Sequence, residues 1–185
     1  MSNETTRQYT HILFFLFAFT LKYLSTFQAI FLIAGLLFFI IFILPRLNVR
    51  KHFYRPTEKK ISRGAVSYFL VLFILVLLFP LPIVAASWAV LALGDGVATL
   101  VGRHFKAATL PWNKNKTYAG SLAFILAATI GCLVLLRWSG VNADNLLAVS
   151  FKVAIISALV ETLPWKVDDN ISVAVASGIS LFILL

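Results

Sequence analysis

Residues 64–94 read GAVSYFLVLFILVLLFPLPIVAASWAVLALG, 31 residues without an Asp, Glu, Lys or Arg. A helix rising about 1.5 Å per residue needs about 20 apolar residues to cross a bilayer, so this stretch is too long for one crossing. Pro80 and Pro82 divide it, because neither can extend a helical hydrogen-bond ladder. The reading is a tight hairpin of two membrane helices.

Outward from the hairpin the same texture recurs, with candidate segments near 9–25, 27–44, 61–79, 82–102, 117–136, 143–160 and 170–185. The expected fold is therefore an all-α integral membrane protein of about seven transmembrane helices. Six is the alternative count, because the first and last segments are short and Lys22 interrupts the first. A composition of 61% apolar and 12% charged residues rules out an ordinary soluble domain. Residues 1–185 read as one membrane-embedded unit, with anchor helices and a basic loop in 1–60 and the chemistry-bearing core in 61–185. Glu4 and Arg7 precede the first segment and no small-residue cleavage pattern follows it, so no removed signal peptide is expected. The lone Cys132 lies in an apolar stretch and reads as packing.

Sixteen basic residues against seven acidic ones leave a formal charge of +9. In a chain of this hydropathy that excess speaks of topology rather than of nucleic acid, and no nucleic-acid partner is expected. Arg46, Arg50, Lys51, Arg55, Lys59, Lys60 and Arg63 crowd one loop, and Arg103, Lys106, Lys114 and Lys116 another. With Arg7 and Lys166 these fall on one side, leaving Lys22, Arg137 and Lys152. The positive-inside rule makes the crowded side cytoplasmic, together with the N-terminus. Trp112 and Trp165 near cytoplasmic helix ends and Trp138 near an outer end fit aromatic belts. The basic loop 46–63 also suits anionic lipid.

Four of the seven acidic residues, Asp95, Glu161, Asp168 and Asp169, fall at or near cytoplasmic helix ends. Asp95 is the only charge between Gly64 and Val101 and lies roughly 12 Å short of Arg103 along a helix, recessed in the inner leaflet. An intramembrane carboxylate is costly unless compensated. Gly94 and Gly96 flank it and leave room for phosphate or metal, although Gly96, Ala98 and Gly102 also suit a small-residue packing face. Asp168, Asp169 and Asn170 open the last helix, where capping accounts for one of the three. The remaining carboxylates, with Glu161 seven residues earlier, suit Mg²⁺ held jointly with substrate phosphates.

Lys114 and Lys116 precede Thr117, Gly120 and Ser121 at the start of the fifth helix, so lysine charge and free N–H groups converge in an anion site. Thr109-Leu110-Pro111-Trp112 recurs as Thr162-Leu163-Pro164-Trp165, each before a charged loop. Lys152 and Glu161 are nine residues apart and face opposite ways on a helix, so Lys152 is expected to snorkel outward. His11, His52 and His104 show no metal-ligand spacing.

Three blocks together carry a resemblance: Gly94-Asp95-Gly96-Val97-Ala98 running to Gly102-Arg103; Leu110-Pro111-Trp112-Asn113-Lys114 with Lys116 to Ser121; and Glu161-Thr162-Leu163-Pro164 followed by Asp168-Asp169-Asn170. In order and spacing they resemble the CTP-dependent polyprenol kinase family, which includes phytol, farnesol and dolichol kinases and related diacylglycerol kinases. The likeness covers residues 90–178, about half the chain, and departs at Lys106 and Ala174, where that family often has Gly and Pro. It implies transfer of the γ-phosphoryl group of CTP to a membrane lipid alcohol with Mg²⁺. On that footing Asp168 and Asp169 are expected on the metal, and Arg103, Lys114 and Lys116 on the phosphates. Asp95 is expected as a further ligand or as the group facing the hydroxyl, with Glu161 in the other role. A cytidylyltransferase forming a CDP-lipid ranks second, because its Lys-Asp, His-Gly-Gly and Asp-Arg signature is missing. A non-catalytic carrier or anionic-lipid scaffold ranks third.

Overall fold

The computed structural model describes residues 3–47, 61–105 and 108–185. Arg50, Lys51, Arg55, Glu58, Lys59, Lys60, His52 and Lys106 therefore lie outside the described residues, as does most of the expected lipid-binding loop. Among the described residues the regular secondary structure is all helical apart from a single bridge between Thr109 and Thr117. Helix α1 (Asn3–Leu13) continues past a break at Phe14 through Phe15–Ala18 and a 3₁₀ stretch, Phe19–Tyr23. It is followed by α2 (Thr26–Arg46), α3 (Arg63–Leu78), α4 (Leu81–His104), α5 (Tyr118–Trp138), α6 (Leu146–Thr162) and α7 (Asp169–Leu184). All seven expected segments are helical, and α2, α4 and α5 are long and apolar enough to cross a membrane. Helices α3 and α7 are apolar but shorter.

Helix starts follow capping chemistry. Ser25 and Gln28 form a reciprocal capping box at α2, Ser62 caps α3, and the Thr117 hydroxyl accepts from the Gly120 N–H at 3.1 Å to open α5. Pro80 and Pro82 stand at the start of α4, where missing N–H groups cost nothing, and produce the sharp turn after Leu78.

The best-covered helix is α4, which packs on α5, α7 and the N-terminal segment. Its midpoint, Val90–Asp95, widens into a π turn before α-helical geometry resumes at Gly96. Such one-residue insertions re-aim the side chains after them. Close approach of α4 and α5 depends on small residues: a methyl group on Gly120 would stand 3.0 Å from the Thr117 hydroxyl and 3.1 Å from the Ala98 carbonyl. Neither the cap nor the helix backbone yields easily, so Gly120→Ala is expected to cost about 1–3 kcal/mol. A melting curve in detergent lower than wild type by several degrees checks this; an unchanged midpoint refutes the tight crossing.

The two ends of the bundle differ. Lys22 sits over the Trp138 ring and the Trp138 indole donates to the Phe19 carbonyl at 3.1 Å, placing these residues at one end. Arg7, Arg103, Lys116, Asp168 and Asp169 meet at the other. Lys152 is exposed and Glu161 buried on the same helix, as opposite faces require.

Candidate active site

The loop 108–117 is tied to itself before it reaches α5. The Leu110 N–H donates to the Lys116 carbonyl at 2.9 Å, the Lys116 N–H to Asn113, and the Tyr118 N–H to Ala108. Leu110 is buried beneath it, and the Asn113 amide donates to the Thr162 carbonyl at 3.1 Å. The two Thr-Leu-Pro-Trp loops are thus bonded to each other. This lattice fixes the backbone of Lys116, whose ammonium reaches inward to Glu161 and, at 2.7 Å, to Asp169. Burial works against that charge, but Glu161 and Asp169 outweigh it and hold the Lys116 pKa above the usual lysine range.

Asp95, from the π turn, completes the cluster. One carboxylate oxygen each from Asp95, Glu161 and Asp169 lie within 4.8 Å of one another. Three carboxylates this close repel unless a cation stands among them, and in the structure part of that work falls to Lys116. Hard oxygen donors already gathered around a positive charge are a donor set suited to Mg²⁺. The cluster lines a cavity of about 410 Å³ between α1, α3, α4, α5 and the last two helices.

Not every residue expected at the site takes the expected place. Arg103, Thr117, Gly120, Ser121, Asp168 and Asn170 line the cavity with the carboxylates and Lys116. Asp168, however, is the N-cap of α7: its Oδ1 accepts from the Asn170 N–H at 3.0 Å and from the Ser67 hydroxyl at 2.9 Å. The Asn170 amide in turn donates to the Gly64 carbonyl at 3.1 Å. Lys114 is exposed on its loop, away from the cavity wall. Gly94 and Gly96 lie outside the wall as well, because a methyl group on Gly94 would meet the Phe124 ring at 2.8 Å and one on Gly96 would meet Ile12 at 2.5 Å. Their smallness serves helix packing.

The largest addition is the N-terminal helix. Arg7, Thr10 and His11 of α1 and Phe14 at the break after it line the cavity, and His11 Nε2 is 3.9 Å from Asp95 Oδ2. The available signal was Arg7 and His11 at i, i+4, one helix face carrying polar groups into an apolar segment. From α3 come Gly64, Ala65, Tyr68 and Phe69, with the Tyr68 hydroxyl accepting from the Trp88 indole at 2.6 Å.

No family model matches the chain, and no solved structure matches it. Relatives do. A protein described as probable phytol kinase, chloroplastic, from Triticum aestivum is 38% identical over 137 residues, 69% of this chain and 46% of the relative. Phytol kinase 1, chloroplastic, from Arabidopsis thaliana is 30% identical over 135 residues, 68% of this chain and 44% of that protein. Farnesol kinase, chloroplastic, also from Arabidopsis thaliana, is 33% identical over 110 residues, 56% of this chain and 36% of that protein. The chain spans under half the length of each of these relatives. Over the stretch it shares with them, the chain belongs to the polyprenol kinase family of phytol and farnesol kinases.

Proposed function

We propose that the protein is a CTP-dependent lipid kinase that moves the γ-phosphoryl group of CTP onto an isoprenoid alcohol such as phytol or farnesol. The observation that carries this reading is the meeting of Asp95, Glu161, Asp169 and Lys116 in one cavity that runs from the charged helix ends into the apolar span. Phosphoryl transfer asks the protein for positioning and for neutralised charge rather than for covalent chemistry. Lys116 and Arg103 face the nucleotide phosphates, helped by the N–H groups at the start of α5 and by the Ser121 hydroxyl, which is buried without a partner among the described residues. Glu161, Asp169 and Asp95 would hold Mg²⁺, while Asp168 keeps its capping role. When bound, the ion supplies charge neutralisation on the triphosphate. Asp95, which meets His11 beside the ring-lined wall, orients the acceptor hydroxyl and takes its proton through the carboxylate oxygen that does not face the ion.

In this reading the bundle crosses the membrane seven times, with its N-terminus and its site on the cytoplasmic side and the basic loop 46–63 against anionic lipid. The crowding of Arg7, Arg103 and Lys116 at the site end supports that orientation. Purified protein supplied with labelled CTP and a panel of lipid alcohols tests the function. Label from the γ position entering the lipid is expected, with ATP a poorer donor. Label from the α position would instead establish a cytidylyltransferase, and no turnover with any acceptor would leave a carrier or scaffold.

A further inference from the structure

The backbone of α1 packs against α4, and α3 is not among its principal neighbours. The seam between α1 and α3 is closed by side-chain rings. His11 meets Tyr68 edge-on at 4.4 Å, and Phe14 meets Phe69 at 5.0 Å and Tyr68 at 6.4 Å. One side of this seam is fixed: Tyr68 and Phe69 are buried, and Tyr68 is bonded to Trp88. The other side is not, because Phe14 is half-buried at the break between two helical stretches. Turning a ring needs no backbone movement and is fast.

All four rings line the same cavity as the carboxylates, Phe14, Tyr68 and Phe69 giving it an aromatic wall and His11 linking that wall to Asp95. Resting on the kinase reading, we propose that the seam between α1 and α3 is the acceptor subsite, where the hydrocarbon chain of a prenyl alcohol enters from the bilayer and lies against Phe14, Tyr68 and Phe69 with its hydroxyl at Asp95. A lipid alcohol presents one polar atom on a long apolar tail, and the cavity offers both kinds of wall side by side: Asp95 meets His11, and His11 meets Tyr68. Entry from the side keeps the tail out of water throughout. A second groove, of about 520 Å³, runs between α1 and the end of α4 along Tyr9, Leu100 and Phe105. Among the described residues no carboxylate lines it, and it stands apart from Asp95, Glu161 and Asp169, so a hydroxyl held there would lie away from the proposed metal site.

The test is photolabelling of the full chain in nanodiscs with a prenyl alcohol bearing a diazirine within its first two isoprene units, followed by peptide mapping. Label in residues 62–69 of α3 together with α1 is expected. Label absent from α3, or confined to Leu100–Phe105 or to α5, overturns the subsite. This outcome does not depend on turnover: failure of γ label to enter any lipid sinks the kinase reading, whereas turnover with label elsewhere sinks only the seam. In kinetics, Phe14→Trp is expected to raise KM for phytol about tenfold more than for the shorter farnesol while leaving KM for CTP unchanged. If that variant fails to fold, Phe14→Leu is expected to shift the same ratio the other way. An unchanged phytol to farnesol ratio in a folded variant counts against the seam.

Discussion

Asp95→Asn is expected to lower phosphoryl transfer by about a thousandfold, with the protein still monodisperse in detergent and melting close to wild type. Asparagine matches the carboxylate in size and can still bond the acceptor hydroxyl, but it carries no charge and cannot take a proton. Folding should survive, because Asp95 is partly accessible from the cavity and its contact with the His11 ring, at 3.9 Å, is not a short ion pair. The substitution even relieves repulsion among the three carboxylates. Transfer of γ label from CTP to phytol, measured beside a melting curve, decides it. Turnover within tenfold of wild type would remove Asp95 from the reaction.

Lys116→Ala has the second largest expected effect, and its signature differs. The loop that carries Lys116 is held by its own backbone bonds and by Asn113 on Thr162, so the loop should persist when the side chain is cut back. What disappears is the cation between Glu161 and Asp169. The prediction is a rise in KM for CTP on the order of a hundredfold, with KM for the alcohol changed far less, and partial rescue by Lys116→Arg. A variant whose alcohol KM rises while its CTP KM holds would move this loop to the lipid side of the site.

Much of the architecture could be read before any coordinates, for reasons that are local. Helix limits follow from apolar length and from caps such as Ser62, Thr117 and Asp168, each of which acts within three residues of itself. The end of the bundle that holds the site follows from where lysine and arginine accumulate. What could not be read is which helix faces which. Gly94 and Gly96 beside a carboxylate suggest room for a ligand, but the same smallness accommodates Phe124 and Ile12, and only the packing tells the two uses apart. Asp168 and Asp169 are equivalent as neighbours in sequence. They divide their work because Ser67, 101 positions earlier, comes to meet one of them. The contribution of α1 was hidden for the same reason, since Arg7 and His11 acquire meaning only once α4 and α3 stand opposite.

The π turn at Val90–Asp95 has a consequence for how this site is inherited. Deleting any one residue of that turn ahead of Asp95 would leave an unbroken helix, yet everything beyond it would rotate by about 100° relative to what came before. The Asp95 side chain would survive in name and be lost in aim. If Asp95 acts as proposed, the register of the backbone is as heritable a part of the site as the acid itself, and a homologue that keeps the aspartate but drops the extra residue is expected to be a spectator.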